Sequence, residues 1–318
     1  MKKVFTLFLV LASLGLYSCN SNDDGLDVSE LSGTGITISD DVDCCSAEEA
    51  LQVYKFLQTV KIIPELSTVV DDKYNVFAYS KTGTFHTGYN EIYFVATKKN
   101  SGNYVKNFDI TNITPLMHMV QKDIHHSTPV SAGGVESFDS RYLAVKRGWI
   151  SFVMNTSDMG TWSLSYDATV LKSKGGINRV PLTVDAIPAG QEWIKSFKIG
   201  EDTYYISLVN PAEWKTGTNS IEAYISRKSS SITEPYGLAS ETFTVEIIPT
   251  MPDMGNHTSP NNAPLTKQQD GKYKGTINLT MTGLWRIHLT IKDAKGGIVA
   301  GGDNLSDGFS SLFFDVTI

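Results

Sequence analysis

The chain starts with Lys2 and Lys3, runs through an apolar stretch over 4–16, and then reaches Tyr17, Ser18 and Cys19. A membrane-spanning helix needs about 20 apolar residues, so this run is too short to cross a bilayer. A positive start followed by a short apolar core is instead the layout of an export signal. Over 20–45 the pattern dissolves into Asp, Ser, Gly and Thr with little periodicity, the composition of a tether. Ser46, Ala47, Glu48 and Glu49 then form a capping-box pattern with Ser46 as N-cap. Leu51, Val53, Tyr54, Leu57 and Val60 follow at helical spacing, which predicts one short helix over 46–61 with Pro64 at or beyond its end. Beyond it the period changes to two. Segments 74–79, 90–95 and 276–280 carry alternating or β-branched residues bounded by Gly, Asn, Asp and Pro. No second long helix is predicted, and the reading is all-β, built of sandwiches.

Five short motifs recur in the same order. Thr87, Gly88, Asn90 and Ile92 return as Thr216, Gly217, Asn219 and Ile221, and Pro115 with Met117 returns as Pro249 with Met251. His126 and Pro129 return as His257 and Pro260, Gly160 and Trp162 as Gly283 and Trp285, and Lys174-Gly175-Gly176-Ile177 as Lys295-Gly296-Gly297-Ile298. A constant order at near-constant offset predicts a duplicated domain, one copy over 62–188 and the other over 195–318. Each copy has the usual size of a domain with its own core. Most shared residues suit structural tasks. The glycines before Trp162 and Trp285 permit a turn into a strand, the tryptophans bury a large ring between sheets, and the two Gly-Gly pairs read as hairpin turns.

Composition narrows the function. Leu16, Tyr17, Ser18 and Cys19 resemble the lipobox of bacterial lipoproteins, which implies a signal peptide over 1–18, cleavage ahead of Cys19 and acyl chains on that cysteine. An ordinary secretory signal with Cys19 incidental is the rival, and both readings put the mature chain outside the cytoplasm. Cleavage would remove Lys2 and Lys3 from 27 basic residues, leaving 25 against 34 acidic ones, a balance of −9. So acidic a chain is a poor match for nucleic acid or anionic lipid. Asn22, Asp23 and Asp24 read equally as a surface-export signal or as solvated linker. Cys44 and Cys45 remain as an adjacent pair, read as structural or oxidised in preference to a metal site because no other ligand type lies nearby.

One region of each copy is not explained by folding. Met117, His118 and Met119 precede His125 and His126, and Met251 and Met254 precede His257, among Pro, Asp, Gly and Asn. Of the eight methionines and six histidines in the chain, four of each lie in these two short segments. Core methionines usually sit within apolar runs. A thioether is a soft neutral donor that suits Cu(I), and imidazole suits both copper oxidation states, whereas zinc or calcium would recruit other ligands. An extended backbone would put Met117 and Met119 on one face with His118 opposite, and would let only one of His125 and His126 reach a shared ion. His86 and His288 read as surface or strand histidines.

The run from Met251 to His257, with Asp270, Gly271, Tyr273, Met281, Gly283 and Trp285 after it, resembles the YtkA/FixH-like domains of exported proteins. The resemblance spans about 80 residues of the second copy, from Thr216 to about Ile291, and extends more loosely to the first. It implies immunoglobulin-like β-sandwiches associated with copper handling. It also implies metal-facing roles for Met251, Met254 and His257, with Met117, Met119, His125 and His126 as counterparts. The second copy is expected to be the tighter site.

These readings converge on a lipoprotein tethered at the outer membrane or cell surface, with two tandem immunoglobulin-like sandwiches that bind copper for capture or handover. No nucleophile elbow, phosphate loop or zinc-protease helix accompanies it, so no enzyme is expected. The alternative is a metal-free adhesion or scaffolding module docked on an outer-membrane partner. A carbohydrate-binding unit ranks last, because the aromatic residues alternate as strand cores do. If Cys19 carries lipid, Cys19→Ala should turn a detergent-requiring protein into a soluble or unprocessed one. Wild-type protein that is soluble without detergent and has an unmodified N-terminus would remove the lipid anchor from the account.

Overall fold

The computed structural model describes residues 47–131, 134–138, 144–303 and 309–318. The export signal, Cys19, the tether, Ser46, Cys44 and Cys45 lie outside the described residues. Strands dominate from Lys61 onward, and among the described residues the single α-helix is Ala47–Leu57. It is shorter than the period alone suggests. The Thr59 hydroxyl donates to the Phe56 carbonyl at 2.7 Å and closes the last turn, and Pro64 opens a separate 3-10 turn, Pro64–Leu66. Among the described residues no helix is long and apolar enough to cross a membrane.

The first half is a sandwich. One sheet holds Tyr74–Ser80, Gly88–Lys98 and Val145–Phe152, and the other holds Ser173–Leu182, Gly160–Val170, Phe108–Met119 and Ile124–His126 in that spatial order. Gly160–Val170 alternates buried and open positions along its length, as a strand with one face on a core must. Phe94, Ile150 and Phe152 from one sheet meet Met117, Trp162, Leu164 and Tyr166 from the other in one apolar cluster. The outer face of the first sheet is apolar too, and the helix covers it. Val53 and Phe56 pack on Tyr93, Val95 and Val145, with the Phe56 and Tyr93 rings edge to face at 5.0 Å.

The second half has its own core of Ile221, Ile225, Met251, Tyr273, Trp285, Ile287 and Phe314. Here the two layers join into one curled sheet. Ala263–Lys267 pairs with Tyr273–Leu279 on one side and with Thr244–Met251 on the other, and its register shifts between Ala263 and Thr266. Such a bulge lets a strand pass from one layer to the other.

Equivalent residues do equivalent jobs in the two halves. Buried Asn90 accepts the His86 N–H and donates to the His86 and Gly88 carbonyls. Buried Asn219 accepts the Lys215 N–H and donates to the Lys215 and Gly217 carbonyls. The Trp162 indole donates to the Met154 carbonyl and the Trp285 indole to the Met281 carbonyl. The Thr128 hydroxyl bonds the Ser151 carbonyl, and the Ser259 hydroxyl bonds the Asn278 carbonyl. One expectation needs correcting. Gly296 does sit in a turn, at φ +84°, but Gly175 and Gly176 lie inside the strand Ser173–Leu182 beside a register shift. A Cβ at Gly176 would fall 2.1 Å from the Tyr166 carbonyl oxygen, so glycine there serves close backbone approach.

The halves pack directly. Segment 127–130 of the first half hydrogen-bonds Ile232 and Tyr236 of the second, and the Trp149 and Tyr224 rings stack at 4.7 Å. Gly88 and Gly217 share a positive φ, +93° and +89°, yet a Cβ at Gly88 would lie 2.5 Å from Trp193 Cβ while Gly217 has open space. Gly88→Ala should therefore destabilise more than Gly217→Ala, the first carrying a clash on top of backbone strain. Trp162→Ala and Trp285→Ala should each cost about 3–5 kcal/mol, the usual loss for emptying a buried ring site. Urea unfolding of the four variants tests this ordering, and equal losses at the two glycines would contradict it.

Candidate functional site

Each Met/His segment folds as a β-hairpin closed by a 3-10 turn and a left-handed residue. In the first half, Phe108–Met119 leads through Val120–Lys122 and Asp123, at φ +49°, into Ile124–His126. In the second, Thr244–Met251 leads through Pro252–Met254 and Gly255, at φ +62°, into His257–Thr258. Asp and Gly are residues that reach this region of φ at low cost.

Register sorts the side chains. Met117 lies opposite His126, His118 opposite His125 and Met119 opposite Ile124. Directly opposed residues share a face, so Met117, Met119 and His126 point to the core side while His118 and His125 point outward. On the far flank Trp162 faces Met117 and Gly160 faces Met119. Trp162, Met117 and His126 thus form a row across three strands, with the His126 and Trp162 rings edge to face at 5.6 Å. Gly160 gives the sulfurs room. A Cβ built there would lie 2.7 Å from Met117 Sδ and 3.1 Å from Met119 Sδ, so both thioethers converge on the space a side chain would fill. His126 Nδ1 sits 2.9 Å from the Ser127 carbonyl oxygen. Donating its proton there leaves Nε2 with the lone pair, the tautomer a metal ligand uses.

On the outward face the His118 and His125 rings stack at 4.5 Å, nearly parallel, and His118 Nε2 lies 2.9 Å from Asp123 Oδ1. His125 and His126 are therefore separated by the sheet. Among the described residues no three His, Cys, Asp or Glu side chains gather as a metal site.

The second hairpin repeats the central pairing. Met251 lies opposite His257, and the register that sets Thr250 against Arg286 brings Met251 alongside Trp285. Met251 is 3% exposed and packs in the core, its Cε 3.0 Å from where a Cβ on Gly283 would stand. Met254, 54% exposed, sits on the 3-10 turn between Met251 and the exposed His257. The Met and His side chains of the first hairpin are the more enclosed set, because that hairpin is longer and carries Met119 on its strand.

Two features were not read from the sequence. The Gly-x-Trp glycine makes space for methionine as well as for a turn, and His118 is held by His125. The first has a signal in the recurrence of Gly, Trp and Met together; the second depends on register, which spacing alone does not fix.

His86 lies half-buried in a short strand, and His288 lies 6% exposed in Leu284–Lys292. His288 Nδ1 is 3.0 Å from both the N–H and the carbonyl oxygen of Ser310, and Nε2 is 3.2 Å from Thr250 Oγ1. Burial holds its pKa below the ordinary histidine value, with Arg286 pushing the same way.

Residues 199–290 match the family model described as YtkA-like. That stretch lies within the second half and contains Met251, Met254 and His257, so this part of the chain is similar to YtkA-like domains. No curated protein matches the chain. The crystal structure of dimeric latent PorU from Porphyromonas gingivalis is similar at 12% identity and a TM-score of 0.25, over 82% of this chain and 24% of that one. The chain thus spans about a quarter of that protein, and a likeness so distant carries no argument.

His288 makes the second half acid-sensitive. The unfolded chain protonates near a pKa of about 6.5 and the folded chain only at lower pH, so stability is intact above that value and erodes as pH falls below it. Thermal melts of wild type and His288→Gln between pH 7.5 and 5, taken as rough bounds around the histidine range, should show a shallower decline in the variant. Parallel declines would contradict this assignment.

Proposed function

We propose that this protein is a lipoprotein, anchored through acyl chains on Cys19 at the outer membrane or cell surface, that binds copper as Cu(I) on its two Met/His hairpins. Its task is capture, or handover to a copper-handling or outer-membrane partner. The observation that supports this reading is the cross-strand pairing of a methionine with a histidine in both halves, Met117 with His126 and Met251 with His257. Each pair has a second methionine close by, Met119 on the same face in one hairpin and Met254 on the turn in the other. Two thioethers and an imidazole make a soft, neutral donor set that favours monovalent copper over divalent ions. His125 would stay outside this set, on the other face. The YtkA-like stretch supports the same assignment for the second hairpin.

A second reading has its own observation. Val120, Ile124 and Met159 are about half exposed at the tip of the first hairpin, as is Met254 at the tip of the second. Val120 N–H bonds the Met159 carbonyl, so the first three form one patch. Exposed methionine and aliphatic groups suit an adaptable protein interface, and the buried sulfurs would then be packing alone.

The two separate on sulfur. Met251→Leu with Met254→Leu, and Met117→Leu with Met119→Leu, keep volume and apolarity while removing the donors. A competition titration with a chromophoric Cu(I) chelator should register two bound ions in wild type and the loss of one in each double variant, with unchanged melting. Wild-type stoichiometry and affinity in both double variants would leave the interface reading standing.

A further inference from the structure

A cleft of about 500 Å³ opens where the two halves meet, with residues of the linker 186–193 along its wall. Its size falls within the roughly 300–1,000 Å³ of small-molecule sites. None of the Met/His hairpin residues line it, so it is a different place from the proposed copper sites.

The walls are fixed. Trp149 stacks on Tyr224 and lies 5.8 Å from Tyr89, so rings from both halves brace one another. Trp193 is held against Gly88 at a separation no side chain would permit. Tyr89 and Trp193 are half-buried and line the cleft, presenting apolar ring surface beside polar groups.

The charge of the lining runs against that of the molecule. The whole chain carries −7, yet Lys81, Arg147 and Lys272 line the cleft against one carboxylate, Glu91. Two of these cations are pre-oriented from opposite halves. Arg147 is held at 2.9 Å by Glu136 and at 3.6 Å by Glu91. Lys272 is held at 3.4 Å by Glu222, which is itself bonded by Asn210 at 2.8 Å, and at 3.7 Å by Asp270. A guanidinium has five N–H donors and an ammonium three, so each keeps donors beyond those its carboxylates engage. Aromatic surface together with cations on the same wall suits a ring that carries a carboxylate.

We propose that this cleft binds a small acidic sugar of the uronate class, its carboxylate at Arg147 and Lys272 and its ring against Tyr89 and Trp193. The site exists only when both halves are present, because each supplies one of the cations.

Calorimetry on the full-length chain in detergent tests this with three probes. Glucuronate carries ring and charge, glucose the ring without the charge, and acetate the charge without the ring. Glucuronate should bind with a Kd of about 0.1–1 mM, the range of a small polar ligand, with glucose and acetate at least about tenfold weaker, a difference of about 1.4 kcal/mol each. Arg147→Gln and Lys272→Gln should each weaken glucuronate at least about fivefold. Lys81→Gln, on an exposed residue, is the third variant should either of those fail to melt like wild type. Absence of glucuronate binding at about 10 mM, ten times the weakest expected Kd, would overturn the proposal. So would glucose or acetate binding as tightly as glucuronate, or folded variants that bind it as wild type does.

Discussion

In each half a tryptophan stands on the strand next to a methionine, and the glycine two residues before that tryptophan leaves the methionine its space. Trp162 is 1% exposed and Trp285 0%, among the largest buried side chains of the molecule. Each ring is tied down by an indole N–H to a main-chain carbonyl, which sets its depth in the core. Because the ring cannot shift, the facing strand must present a long, unbranched, polarisable side chain at that level, and methionine fills such irregular space well. The hairpin continues from this strand, and its own short ladder sets the face that each of its histidines takes.

The period-two pattern located the strands 74–79, 90–95 and 276–280 because alternation reports directly on one buried face; the first two recur inside longer strands, and the third lies in Tyr273–Leu279 except for its last residue. The capping box and apolar spacing identified the helix, which stops at Leu57 with a threonine hydroxyl on its last turn, and Pro64 lies beyond its end as expected. The Gly-Gly pair at 175 misled because glycine serves close backbone approach as readily as turns, and only the facing Tyr166 carbonyl decides between them. The clustered Met and His residues were visible as a compositional anomaly. Their division between two faces was not, since opposing His118 to His125 depends on a four-residue turn between strands. The cleft between the halves had no local signature at all. Its residues come from the loop 80–84, the linker and strands of both halves, distant in sequence and joined only by packing.

The two halves share their buried asparagine, tryptophan and hydroxyl bonds, and they differ in how the layers close. The first half keeps its two layers as separate sheets, beside a small two-stranded one, and a helix covers the outer face of one layer. The second joins its layers through Ala263–Lys267. The halves are also unequal at their contact. Residues 232–236 hydrogen-bond the segment that follows the first hairpin, so that hairpin is braced by the other half at its base. Common internal bonding with divergent outer surfaces is what separates a scaffold from the uses made of it.

The hairpin Phe108–Met119 with Ile124–His126 carries sulfur on one face and paired imidazoles on the other, in strict alternation. A slip of one residue in this short ladder would turn His125 to the core side and His126 outward, while Met117 and Met119 stay where the long pairing with Gly160–Val170 holds them. The sulfurs would then face a different imidazole, with sequence and strand content unchanged. Fidelity of pairing over a few main-chain hydrogen bonds therefore decides which histidine shares the sulfur face, and the left-handed Asp123 sits in the turn that fixes that pairing.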